Sequence, residues 1–187
     1  MKKLIALALV LAAGSAGATI SSIGDVTPVG SGFTISSDDG ASDAAVEAFL
    51  GLGAGTLDAI STGDATEGSA IAITTDIASG GTVSLDWFWT SNEGSVSFFN
   101  DFAFVSVSMN GVQVLADTFT LYGTISSFSY TAGSGGLLTS GVGGMDLQDS
   151  IVDSFLDVDN IAVVPAPASL LLLGLGLAGL GVARRRA

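Results

Sequence analysis

The sequence predicts an all-β protein, a β-sandwich of jelly-roll type with one short helix. Three observations carry this. Thr82 to Thr90 alternates strictly, with Val83, Leu85, Trp87 and Trp89 on one face and Ser84, Asp86, Phe88 and Thr90 on the other, the period of a half-buried strand. Asp101 to Met109 repeats the pattern with Ala103, Val105, Val107 and Met109, and Asn110-Gly111 follows before another apolar run. Asn-Gly between alternating runs is a hairpin signal of type I′. The 26 glycines have no period, so they punctuate turns rather than build a fibre.

Taken in order, residues 19–31 read as a polar entry segment, and the predicted sandwich spans residues 32–163. Gly32 to Ser36 is a first strand, and Asp38-Asp39-Gly40 has turn chemistry. Ser42 caps a helix from Asp43 to about Leu52, whose inward face is predicted to be Ala45, Phe49 and Leu52. Gly51, Gly53 and Gly55 end it. Ala70–Thr75, Val112–Leu115, Phe119–Tyr122, Ile125–Thr131, Leu137–Gly143 and Leu156–Val164 complete roughly eight or nine short strands, the spacing of a sandwich.

The two ends differ from this body. Met1-Lys2-Lys3 and the apolar Leu4 to Ala13 form a leader, with Ala16-Gly17-Ala18 as the signal-peptidase site, so residues 1–18 are predicted to be removed. Residues 164–187 hold Pro165-Ala166-Pro167, an uncharged run at 168–183, and Arg184, Arg185 and Arg186. Sixteen helical residues rise about 24 Å, enough to span a locally thinned bilayer. Terminal arginines hold that end at the cytoplasmic headgroups.

All five basic residues lie in these ends, so the body from Thr19 to Val164 keeps all 18 acidic residues with no Lys, Arg or His. Such a body repels phosphate backbones, which excludes nucleic acid as a partner. Without His, Cys or Lys it offers no Ser–His–Asp, Cys–His or Ser–Lys nucleophile and no Cys/His metal site. The chain lacks Cys, so it has neither a lipoprotein anchor nor a disulfide.

What remains is carboxylate chemistry. Carboxylates in such a body must face water, accept hydrogen bonds or bind a hard cation. Asp159 shares the parity of Ile161 and Val163, which predicts an inward carboxylate held by backbone N–H groups or by Ca2+. Asp157 shares its parity, and Glu67 is a further Ca2+ candidate. Trp87 and Trp89 read as core. Glu93, Phe98, Phe99 and Asn100, in a loop between strands, are candidate ligand contacts, and Phe88 and Tyr122 are candidate surface aromatics.

Pro-X-Pro, a Leu/Gly/Ala-rich span and a C-terminal Arg cluster resemble the PEP-CTERM sorting signal of Gram-negative bacteria, with Ala166 where the name-giving motif has Glu. The resemblance implies processing by a membrane-embedded exosortase and passage through the inner membrane to the outer surface, usually of a cell that makes exopolysaccharide. The Trp-rich strand, residues 100–105 and residues 158–161 are similar to β-rich ectodomains that accompany this signal. The expected role is structural or adhesive and non-catalytic, in an exopolysaccharide or biofilm matrix. The alternatives are a Ca2+-dependent carbohydrate-binding module and a glycoside hydrolase using paired carboxylates about 5–9 Å apart.

Overall fold

The computed structural model describes residues 17–61, 63–93, 99–108, 110–120, 123–148 and 152–166. Among these described residues, eleven strands and two short helices run in the order β1 (Thr19–Ile23), β2 (Val26–Val29), β3 (Gly32–Ser36), β4 (Ala41–Ser42), α1 (Asp43–Leu50), α2 (Thr56–Ile60), β5 (Ala65–Ile77), β6 (Thr82–Ser91), β7 (Phe102–Val107), β8 (Gly111–Asp117), β9 (Ile125–Thr131), β10 (Gly136–Leu147) and β11 (Ser154–Val164).

One sheet has the order β1-β5-β10-β7-β8, with β4 added beside β5, and the other β2-β3-β11-β6-β9. The antiparallel pairs β7–β8, β6–β9, β5–β10 and β3–β11 nest around one another. The chain is thus a long hairpin folded over into two sheets, which is the jelly-roll path.

Alternation places the core as expected. Val83, Leu85, Trp87 and Trp89 are all buried, and the last three pack with Ile71, Ile73, Val105, Val142 and Leu156 between the sheets. Ile77, Val83, Val107 and Leu138 close the core at one end. The β7–β8 hairpin forms, but Val107 pairs with Gly111, so its loop has three residues, with Gly111 already in the strand at φ 91°.

Several elements differ from expectation. The polar entry contributes strands to both sheets, β1 beside β5 and β2 beside β3. As expected, Ser42 caps α1 by accepting from Ala45 N at 3.3 Å, and Gly51 closes it in the left-handed conformation. The buried residues of α1 are Val46, Glu47 and Leu50, one position on from the predicted stripe. A second helix, α2, follows within the glycine-rich stretch. The Glu47 carboxylate, 2 % exposed, accepts from Gly55 N at 2.9 Å and Leu57 N at 2.8 Å, satisfying N–H groups that a short helix leaves open. Residues 118–120 form a bend rather than a strand, and Tyr122 lies outside the described residues.

The helices lie on the outer face of the first sheet, where Val46, Leu50 and Leu57 meet Ala70, Ala72, Phe104 and Met145. Gly141 permits this contact, because a Cβ there would come within 2.7 Å of Leu50. Among the described residues no helix is long and apolar enough to cross a membrane; the predicted span at 168–183 lies outside them, as do Ala16, Phe98, Pro167, Arg184, Arg185 and Arg186.

Candidate functional site: a carboxylate groove and an acidic cap

Among the described residues no helix covers the outer face of the second sheet, which carries a groove of about 610 Å³. Its residues are set by strand register. Thr34, Asp157, Phe88 and Ile125 are successive cross-strand neighbours on β3, β11, β6 and β9. One step along, Asp159 stands opposite Asp86. Phe33, Val29, Trp87 and Asn160 complete the lining. Ile125 is 78 % exposed and Val29 55 %, so apolar surface faces water beside the carboxylates.

Asp159 therefore faces out, against the sequence expectation of an inward carboxylate. The cause is a β-bulge. The register of β11 against β6 shifts between Asp159 and Ala162, and Asn160 takes φ 52°. The extra residue flips the alternation: Ile161 and Val163 still pack on the core, while Asp159 joins Asp157 on the opposite face. Gly32 makes room for it, since a Cβ there would lie 3.0 Å from Asp159 Cγ.

Two donors steady the groove. Thr34 Oγ1 donates to Asp157 Oδ1 at 2.5 Å, and Asn160 Nδ2 donates to Asp86 Oδ2 at 2.8 Å. Like charges directly opposite on neighbouring strands destabilise a sheet, and the Asp86–Asp159 pair has no basic residue in the body to relieve it.

A buried carboxylate that accepts hydrogen bonds is present, at a residue the parity argument did not single out. Asp101, fully buried, accepts from Ser154 Oγ at 2.6 Å and from Leu147 N at 3.3 Å. It ties the start of β7 to β10 and β11.

Glu67 is not brought to Asp157 and Asp159. It lies on β5, in the other sheet, where its carboxylate oxygen and those of Asp38 and Asp146 all lie within 4.8 Å of one another. Asp146 is fully buried. Among the described residues this is the group of three able to offer oxygens to a hard cation such as Ca2+. The carboxyl of Glu67 is pushed above its ordinary value by burial, then by the charges of Asp38 and Asp39 and a hydrogen bond with Asp38. Asp153 is raised foremost by its hydrogen bond with Asp38, then by burial and by the charges of Asp38, Asp39 and Asp25. Spacing did not reveal this cap, because its members come from a turn and two strands that only the jelly roll brings together.

The loop candidates lie at that same end. Asn100 Oδ1 accepts from Thr118 N at 3.1 Å, and Glu93 N donates to Ser91 Oγ at 3.2 Å. Neither residue lines the groove, nor does Phe99. Phe88, expected on the surface, does.

Fold and tail together define a class: a two-sheet β-sandwich ectodomain followed at once by a sorting signal. The chain carries a PEP-CTERM protein-sorting motif at residues 163–186. That motif implies an exported substrate of exosortase, sorted through the membrane toward the cell surface. No curated protein matches the chain. A solved structure titled "CBM4 structure and function" is similar, with 12 % identity and a TM-score of 0.37 over 77 % of this chain and 92 % of that one.

Proposed function

We propose that the ectodomain is a non-catalytic surface or matrix module that holds neutral polysaccharide in the groove of the second sheet. The observation that carries this is the pairing of apolar Phe88 and Ile125 with Asp86, Asp157 and Asp159 in one concave surface. Ionised carboxylates only accept hydrogen bonds, so a complementary ligand presents donors. It must also tolerate three negative charges and cover apolar surface. Sugar rings meet all three demands, with hydroxyl donors at the edge and C–H groups on the face. Uronic acids and phosphorylated glycans are repelled. The absence of His, Lys and Cys from the body supports a binding rather than a catalytic role. An association with exopolysaccharide or biofilm belongs to the same proposal.

The test is an array of neutral and acidic glycans, followed by calorimetry on the best ligand. Neutral chains should bind, and Phe88→Ala and Asp157→Asn should each weaken them at least tenfold, about 1.4 kcal/mol. Binding left intact by both variants sinks the proposal. A second reading, in which Ca2+ is required for binding, is favoured by the Asp38, Glu67 and Asp146 group. It predicts that a chelator abolishes glycan affinity.

A further inference from the structure

We propose that the sandwich has a membrane-facing base: the end from which β11 leaves lies against the lipid surface while the oily tail is inserted. The base is built from the β5–β6 loop at 78–81, the β9–β10 loop at 132–135 and the end of β11 at Val164. They are brought together by the pairs Gly136↔Ile77, Thr82↔Thr131 and Val164↔Thr82. Gly80 comes close to Ala166, so the chain turns into its tail at the base itself. Thr19, which follows the predicted signal-peptidase site, pairs with Thr74 near the same end. Both leader and tail therefore connect to one end of the sandwich.

Charge separates the two ends. Near the base the described residues offer one carboxylate, Asp76; the loops themselves are Ala, Ser and Gly. Leu137 beside it is 63 % exposed and Val164 54 %. Asp38, Glu67, Asp101, Asp146 and Asp153 gather at the far end, where β3, β10 and β11 meet. Glu67 is about ten residues along β5 from Ile77, roughly 33 Å, or about three Debye lengths.

This polarity fits a lipid surface. No linker separates Val164 from the motif that begins within β11, so an inserted tail holds the sandwich within a few ångströms of the headgroups. An anionic leaflet repels carboxylates at that distance. With the acidic cap pointing away, little charge is forced against the bilayer, and Leu137 and Val164 reach its interface.

The full chain, which has no cysteine, suits single-site labelling. Gly133→Cys lies at the base in open space, and Ala44→Cys is exposed on α1 near the cap. Each would carry a fluorophore in vesicles of phosphatidylethanolamine and phosphatidylglycerol with a headgroup nitroxide quencher. The expected result is quenching several-fold stronger at position 133 than at 44, lost when Leu137→Asp is added. Equal quenching at both positions would falsify the proposal. Quenching at 133 that survives Leu137→Asp overturns contact in favour of mere tethering. Quenching that requires added exosortase overturns the lipid partner in favour of the enzyme. None of these outcomes depends on glycan binding.

Discussion

The two outer faces of the sandwich have opposite fates. On the first sheet, Ala70, Ala72 and Gly141 keep the surface low, and α1 and α2 settle on it with Val46, Leu50 and Leu57. On the second sheet the equivalent positions are Thr34, Asp157, Asp159, Asp86 and Phe88, and nothing described covers them. Small apolar residues on a strand invite a helix. Carboxylates in register forbid one, because a helix laid there would bury charge without a cation. One face is thus covered by helices, and the other stays open among the described residues, where the proposed ligand would lie.

The largest expected effect breaks the covered face. Leu57 is fully buried between α2 and the sheet, so Leu57→Ala should cost about 2–5 kcal/mol in urea unfolding. Phe88→Ala, on the open face, should cost well under half of that while removing glycan affinity. Equal losses from the two would mean that the faces are not divided in this way.

The division was legible in part. Alternation in 82–90 exposed the core tryptophans and placed Phe88 outside, because one strand with one wet face has a plain period of two. The first sheet hid its pattern: Phe102 and Phe104 are buried on the face opposite to Ala103 and Val105, so β7 is buried on both faces, and the two helices laid over the sheet explain why. The second helix begins in Gly53-Ala54-Gly55-Thr56, which carries a helix-breaking composition, and it stands because Glu47 caps it from eight residues away. Asp159 was misplaced by a bulge that leaves no mark in polarity apart from Asn160, a residue tolerant of positive φ. The acidic cap is a product of topology and has no local signature.

A middling effect tests that cap against the groove. Millimolar Ca2+ should raise Tm through Asp38, Glu67 and Asp146, adding about 1.4 kcal/mol of stability when the ion is at about ten times its Kd. Glu67→Gln should abolish the rise, and Asp157→Asn and Asp159→Asn should leave it. A rise lost in the groove variants and kept in Glu67→Gln would move the cation to the open face.

The smallest effect concerns pH without calcium. Glu67 and Asp153 hold their protons more tightly when folded than when unfolded. Between their ordinary values and their raised folded values, the native state binds more protons, so stability falls as pH rises. Lowering the pH from neutral through the range just above 4.5 should therefore raise Tm slightly, the reverse of ordinary acid denaturation. The change is small because both side chains remain half exposed and screened. Calcium should reverse its sign, since bound carboxylates must be deprotonated and acid then competes with the ion. Melting curves at several pH values, with chelator and with Ca2+, should give slopes of opposite sign. Glu67→Gln should flatten the chelator curve only in part, because Asp153 still titrates against Asp38. If both slopes have the same sign, the strained carboxylates of the cap are not where the ion binds.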